Sequence, residues 1–245
     1  MISKIISLVI ILSVGVFGQS PSTDWILNKV DQNMTAINRI SEAEMVIHGR
    51  RGDRTVRSKS WIKGTEMAFT EYLSPPRERG TKMLKQTDNL WTYFPGTDRT
   101  VLIAGHLLRQ SVMGSDLSYE DLMEDPKLQN LYQAEIVAED TIIERPCWIL
   151  NLKAKNPDVT YHTRKIWVDR ERFITLRENR YAKSGRLIKT TEVKSIKKIE
   201  ERWVAEKIVF KDELKSGGGT EFTLLSIQFD AQIPDYIFSK ANLKK

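Results

Sequence analysis

The chain has 245 residues, a formal net charge of +6 at pH 7 and a single cysteine, Cys147. One cysteine cannot form an internal disulfide, so stability has to come from a hydrophobic core, which a chain of this length can supply. Acidic and basic residues are interspersed, and no zinc-ligand spacing or aromatic and basic motif occurs, which argues against nucleic-acid binding. The apolar setting of Cys147 is typical of a buried strand thiol rather than a nucleophile.

The first 18 residues predict a cleavable secretory signal. Lys4 provides a positive charge near the start, and residues 5–17 form an almost unbroken apolar run. Small or modest residues up to Gly18 then provide a cleavage site for a signal peptidase. A membrane anchor is the alternative, but the run is shorter than the roughly 20 residues that cross a bilayer. No cysteine lies near the cleavage site, so a lipid-modified form is not expected. We expect one exported domain, residues 19–245, soluble in the periplasm or an equivalent space.

Residues 21–37 predict one helix. Ser22 or Thr23 can cap its start, and Asp24 lies favourably in the first turn. Apolar residues recur at helical spacing, at Ile26, Val30, Met34 and Ile37. This apolar face can pack flat on a sheet or contact a ligand directly, and the pattern leaves both interpretations open.

From residue 40 onward, imperfect alternation of polar and apolar residues between turn signals predicts strands. The absence of alternating long helices argues against a parallel sheet and favours a single antiparallel one. A sheet this large coils because its strands twist, so side chains, helices or a ligand must fill its concave side. The predicted strands are residues 43–49, 54–63, 66–73, 82–86, 90–94, 100–103, 134–141, 147–153, 161–168, 173–181, 187–199, 203–212 and 221–229.

The stretch from residue 90 to residue 123 changes character halfway. Its first half predicts a hairpin, because an aromatic strand precedes a Pro-Gly-Thr-Asp turn and a β-branched strand follows it. From Ala104 onward, apolar residues lie among Gly, Ser and Asp without strand periodicity. This irregular segment is either a lid over an apolar cavity or a loop that fills the core. The candidate ligand-contacting residues are Trp91, Tyr93, Phe94, Leu107, Leu108, Met113, Leu117, Tyr119 and Leu122.

A lid requires hinges, and the same segment contains two candidate hinge glycines followed by a polar turn. Ser118 and Asp121 have the spacing of a capping box, which predicts a short helix over residues 119–124. A second helix is expected to start at residues 125 and 126 and to continue toward Leu131. The candidate hinge and motif residues are Gly105, Gly114, Ser115, Asp116 and Asp121.

Acidic residues cluster around this predicted helix. They lack the alternating spacing and central glycine of a calcium loop, so helix-start acids explain them better than a metal site does. We expect neither a metal nor a cofactor. The cluster consists of Asp116, Glu120, Asp121, Glu124 and Asp125.

Three segments, Arg77 to Met123, Ile166 to Val193 and Ile233 to Leu243, together resemble the LolA-like proteins, the outer membrane lipoprotein-sorting proteins of the LolA/LolB superfamily. The resemblance spans nearly all of the exported chain. It implies a deeply curved, unclosed half-barrel of antiparallel strands, plugged by its N-terminal helix and capped by loops over an apolar cavity for acyl chains. It also implies an inner-membrane donor complex or transporter and an outer-membrane acceptor as partners.

The expected dimensions agree with lipid burial. A strand of about ten residues spans roughly 33 Å, which exceeds an extended acyl chain. Each methylene group removed from water contributes about 0.8 kcal/mol, so a tail of sixteen carbons needs on the order of 12 kcal/mol of shelter. Only an enclosed cavity provides shelter of that size.

Three functions remain open at this point. The leading hypothesis is an exported carrier that shelters the acyl chains of lipoproteins or lipids on their way to the outer membrane. An envelope module that senses lipid is an alternative, although a transmembrane segment or second domain would be expected with it. A lipid hydrolase is another, because His106 lies close to Ser115, but the Gly-x-Ser-x-Gly elbow is missing.

Overall fold

An open antiparallel sheet of thirteen strands organises the protein, whose computed structural model describes residues 21–34, 38–50, 52–124, 127–157 and 159–245. The predicted signal, Ile37 and the expected helix start at residues 125 and 126 lie outside these ranges. The strands are β1 (Asn38–Gly49), β2 (Gly52–Lys63), β3 (Met67–Ser74), β4 (Lys82–Gln86), β5 (Asn89–Phe94), β6 (Arg99–Ile103), β7 (Tyr132–Ile142), β8 (Arg145–Ala154), β9 (Thr163–Asp169), β10 (Thr175–Tyr181), β11 (Leu187–Ile199), β12 (Arg202–Asp212) and β13 (Gly219–Phe229).

Every predicted strand is present, which confirms the antiparallel sheet. The largest difference in a strand end is at β1, which begins at Asn38 rather than at Ala43. The α-helices are α1 (Thr23–Met34), α2 (Tyr119–Met123) and α3 (Leu128–Leu131). None of the helices in the described ranges is both long and apolar enough to cross a membrane.

The order of the strands decides how the chain covers the sheet. The order is β6-β5-β4-β3-β2-β1-β13-β12-β11-β10-β9-β8-β7, so β1 pairs with β13 and two meanders run outward from that pair. Consequently β6 and β7, which follow each other in sequence, form the two opposite edges of the open half-barrel. The residues between them, 104–131, must therefore cross one whole face. We call this segment the connector and the face that it crosses the inner face.

Helix α1 covers the part of the inner face near β7. Ile26, Leu27 and Val30 pack against side chains of β7, β8 and β9, which agrees with a helix lying flat on the sheet. The Ser22 hydroxyl accepts a hydrogen bond from the Trp25 amide at 3.3 Å, which confirms the predicted cap. Asp31 joins α1 to α3 by accepting the Leu128 amide at 3.1 Å.

The C-terminal segment covers the opposite, outer face of β3, β4 and β5. Met83 faces the connector, whereas its neighbour Leu84 packs with Phe238 and Leu243 of the C-terminal 3-10 helices. Successive residues of a strand point to opposite faces, and the side chains of Met83 and Leu84 are both buried. In this part of the sheet both faces are therefore apolar and covered.

Truncating the C-terminal anchor should destabilise the protein. Phe238 is 3% exposed, so Phe238→Ala should lower the free energy of unfolding by about 3–5 kcal/mol, as for other buried aromatic residues. Urea unfolding measures this change. Tyr236→Ala is the matched control, because Tyr236 lies in the same 3-10 helix but is 59% exposed. Equal effects of the two substitutions would contradict burial of this segment on the sheet.

Candidate functional site

The connector fills the inner face of β1 to β6 with apolar side chains. It leaves β6 at Ala104 and forms 3-10 helices at Gly105–Arg109 and Val112–Gly114 before α2, which confirms an irregular segment. The sheet contributes Met45, Ile47, Val56, Tyr72, Met83, Leu90 and Ile103 to this cluster. The connector contributes Leu107, Leu108, Val112, Met113, Leu117, Tyr119 and Met123. A closed lid and a core-filling loop share this geometry.

The two predicted hinge glycines both have left-handed backbone angles. Gly105 has φ +55° and Gly114 has φ +72°, values that favour glycine. At Gly105 an added Cβ would meet open space, whereas at Gly114 it would approach the Arg54 guanidinium to 3.2 Å. Arg54 donates to the Met113 carbonyl oxygen and pairs with Glu78 at 2.8 Å. Gly114 thus lies in a tight turn that Arg54 of β2 attaches to the sheet.

Asp116 anchors the connector to the centre of the sheet. Its carboxylate accepts hydrogen bonds from the Thr220 hydroxyl at 2.8 Å and from the Asp212 amide at 2.9 Å. Its own amide donates to the Thr220 hydroxyl oxygen at 3.0 Å. Both side chains are buried, so these bonds are shielded from water. Asp116, which was predicted to lie in a turn, therefore attaches the connector to β12 and β13.

Lys215, in the loop after β12, reinforces this anchor. Its ammonium group donates to the Ser111 hydroxyl at 2.6 Å and to the Ser115 carbonyl oxygen at 2.7 Å. Both acceptors belong to the connector, and both are uncharged.

Helix α2 begins with the predicted capping box. The Asp121 amide donates to the Ser118 hydroxyl at 3.4 Å, and the Asp121 carboxylate accepts the Ser118 amide at 2.7 Å. The same carboxylate accepts the Tyr161 hydroxyl at 2.7 Å and pairs with Lys189 and, at 3.2 Å, with Arg180. One residue thus caps its helix and ties it to the inner face.

These contacts belong to a network of three cations and three carboxylates beneath α2. Arg164 pairs with Glu124 of the connector and, at 2.8 Å, with Glu178. Arg180 pairs with Glu178 at 2.9 Å, and the Arg164 guanidinium lies 4.7 Å from the centre of the Tyr132 ring. The formal charges balance within the network. The members are Arg164, Arg180, Lys189, Asp121, Glu124 and Glu178.

The cations keep the buried carboxylates ionised. Burial alone would raise the pKa of Asp121, but Lys189 and Arg180 outweigh it and lower this pKa to about 2. Burial would also raise the pKa of Glu178, but Arg180 and Arg164 outweigh it and lower this pKa to about 2. Burial and the Asp121 carboxylate together raise the pKa of Tyr161. At neutral pH Asp121 and Glu178 are therefore ionised, and Tyr161 is a neutral hydrogen-bond donor.

The acidic cluster does not converge on one point. Asp116, Asp121 and Glu124 have the separate partners given above, and Glu120 accepts the Thr160 hydroxyl at 2.7 Å. Over the described ranges, no group of three His, Cys, Asp or Glu side chains could hold a metal ion. The helix-start acids serve instead as contacts between the connector and the sheet.

A cleft of about 610 Å³ opens at the rim of the connector. The loops after β10 and β12 form its far wall, and its lining is mixed rather than apolar. The residues that line it are Arg109, Ser118, Glu120, Val159, Thr160, Tyr161, Ala182, Ile188, Lys189, Asp212, Leu214 and Lys215.

The predicted contact residues divide between the two faces of the sheet. Leu90 takes an inward position in β5, so Trp91 and Tyr93 pack on the outer face with the C-terminal segment. Leu122 is 38% exposed on α2, and Phe94 is half-buried at the end of β5. The structure brings together Leu107, Leu108, Met113, Leu117 and Tyr119, and it separates Trp91 and Tyr93 from them.

The serine and histidine considered for hydrolysis do not form an accessible pair. Ser115 is fully buried, and its hydroxyl oxygen accepts the Leu117 amide at 3.2 Å. His106 is exposed on the first 3-10 helix of the connector. Burial raises the pKa of the Cys147 thiol to about 11, which agrees with an inert strand cysteine.

Solved structures with this fold cover most of the chain. A DUF1329 family protein from Desulfovibrio piger is 24% identical with a TM-score of 0.79, over 89% of this chain and 96% of the other. An outer membrane lipoprotein-sorting protein domain from Vibrio parahaemolyticus is 21% identical with a TM-score of 0.76, over 89% and 98%. A LolA superfamily protein from Nitrosomonas europaea is 21% identical with a TM-score of 0.75, over 91% and 100%. These likenesses establish the fold.

A family profile described as "-like: Uncharacterized protein" matches residues 64–245, well over half of the chain. The chain belongs to the family that this profile describes. No curated protein matches it. The profile covers β3 to β13 and the whole connector, so the segment that crosses the inner face lies inside the matched region.

Acid should weaken the attachment of α2 to the sheet. The pKa of Asp121 falls from 3.8 to about 2 on folding, so its ion pairs stabilise the fold fully above pH 4 and lose this effect as the pH falls toward 2. The free energy of unfolding should therefore decrease by about 2 kcal/mol more over this range in the wild type than in Asp121→Asn. Urea unfolding at several pH values measures the difference.

Asp235→Asn is the matched control, because the Asp235 side chain is 85% exposed. It should lose stability with acid as the wild type does. The same acid dependence in Asp121→Asn and in the wild type would contradict the lowered pKa of Asp121.

Proposed function

We propose that this LolA-like protein is a periplasmic carrier that shelters the acyl chains of a lipoprotein or lipid during transfer to the outer membrane. The observation that carries the proposal is the apolar contact between the connector and the inner face of an open sheet. An acyl chain offers methylene groups of the same character as Leu107, Leu108 and Leu117. It can therefore replace these side chains when the connector moves away.

The composition of the cluster supports binding of flexible chains. Four of its side chains are methionines, which are unbranched and fill irregular spaces well. They come from both the sheet and the connector, so both surfaces can repack around a new occupant. The four are Met45, Met83, Met113 and Met123.

The energies of exchange agree with a reversible lid. A sixteen-carbon tail gains on the order of 12 kcal/mol on leaving water, more than any one connector contact contributes. The ion pairs of Asp121 contribute about 2 kcal/mol above pH 4, which is much less than the tail gains. The polar anchors at Asp116 and Asp121 therefore define one closed position without making it permanent.

The compartment and the partners also belong to the proposal. The apolar start of the sequence favours export, and the Vibrio parahaemolyticus protein is named for outer membrane lipoprotein sorting. A carrier between two membranes requires an inner-membrane donor and an outer-membrane acceptor.

A charge placed between the connector and the sheet should abolish acyl binding. Met113→Asp and Leu107→Asp put an unpaired carboxylate against the apolar cluster, which is costly in a closed or a loaded protein. Each substitution should weaken binding of a fluorescent acyl probe at least tenfold. Fluorescence titration gives the dissociation constant, and a thermal melt of each variant reports whether it remains folded.

Ser184→Asp is the matched control, because Ser184 lies exposed in the turn between β10 and β11. It should bind the probe with wild-type affinity. Wild-type affinity and melting in both Met113→Asp and Leu107→Asp would show that the connector is an ordinary loop and would contradict the carrier proposal.

A further inference from the structure

The cleft at the rim of the connector has a charge pattern that sheltering of acyl chains does not explain. Three of its lining residues are cations, namely Arg109, Lys189 and Lys215. Lys189 pairs with Asp121 and donates to the Ser118 hydroxyl at 3.2 Å. Lys215 lies 3.6 Å from the Asp212 carboxylate, in addition to its contacts with the connector.

Arg109 differs from the two lysines. It is exposed at the end of the first 3-10 helix of the connector, and in the described part of the chain no carboxylate forms an ion pair with it. The nearby carboxylate of Glu120 is engaged by the Thr160 hydroxyl. The cleft therefore presents a guanidinium group that can form paired hydrogen bonds with an oxyanion.

The cleft also adjoins the apolar cluster. Leu107 and Leu108, immediately before Arg109, pack into that cluster, and Val112 follows on the other side. Val159, Ile188 and Leu214 add apolar surface to the cleft, and Leu214 is 53% exposed. A ligand with acyl chains on the inner face would thus place its polar end beside the guanidinium.

We propose that this cleft binds the phosphate of an anionic phospholipid headgroup, with Arg109 and Lys215 as its ligands. The inference rests on the proposed carrier function and specifies its cargo class. A phosphate carries more negative charge than the Ser111 hydroxyl and the Ser115 carbonyl that Lys215 now contacts. It therefore competes for this lysine, and headgroup binding releases one attachment of the connector.

Ligands with identical short acyl chains and different headgroups test the inference. Isothermal titration calorimetry with the wild type should show roughly tenfold tighter binding of phosphatidylglycerol than of uncharged diacylglycerol. Arg109→Gln and Lys215→Gln should each reduce this preference to about twofold, with diacylglycerol affinity retained in Arg109→Gln. Arg99→Gln, on the exposed edge strand β6, is the matched control and should keep the full preference.

Equal wild-type affinity for the two lipids would overturn the inference, and so would an equal loss of both affinities in Arg109→Gln. Binding of neither lipid would instead refute the carrier proposal, and glycerol 1-phosphate would then test the cleft alone. Binding of glycerol 1-phosphate that Arg109→Gln abolishes would support the phosphate site, whereas no binding would overturn it. Inorganic phosphate that binds as tightly as glycerol 1-phosphate, without any preference between the lipids, would identify a free-phosphate site and also overturn it.

Discussion

The pairing of β1 with β13 is the constraint on which the rest of the structure depends. It joins two meanders at the centre of the sheet and leaves β6 and β7, neighbours in sequence, at opposite edges. The connector must then cross the entire inner face, and it takes apolar side chains with it. An antiparallel sheet of this size coils and needs its concave side filled. In this protein the chain that links the edges supplies much of that filling.

The connector combines two kinds of contact with different consequences. Its apolar contacts with β1 to β6 are non-directional, so another apolar chain can replace them. Its polar contacts are directional, because Asp116 needs the Thr220 hydroxyl and Asp121 needs the cations of β10 and β11. The first kind suits exchange with cargo, and the second kind returns the connector to one position. These two kinds of contact are the physical basis of the proposed carrier. The cleft beside Arg109 lies where the apolar contacts meet the polar contacts.

Local sequence patterns predicted the strands, the cap of α1 and the capping box of α2, because each depends on neighbouring residues. The inner-face network depends on strand register instead. Arg164 and Arg180 are paired positions in β9 and β10, and Arg180 and Lys189 are paired positions in β10 and β11. No spacing within one strand reveals such neighbours. The outer position of Trp91 and Tyr93 could not be predicted for a related reason, since alternation separates two faces without saying which one is inner. The C-terminal segment that packs on Leu84 is far from it in the sequence, so no local pattern around Leu84 indicates this contact.

Hydrogen exchange with and without a saturating acyl ligand tests the central claim most directly, because it follows the connector itself. In this structure the Val112 amide donates to the Leu117 carbonyl oxygen at 2.9 Å, and the Asp116 amide donates to the Thr220 hydroxyl oxygen. If acyl chains take the place of the connector, these amides should exchange much faster in the complex, whereas the amides of β4 and β5 should remain protected. Unchanged or slower exchange at Val112 and Asp116 in a protein shown to hold the ligand would contradict the account.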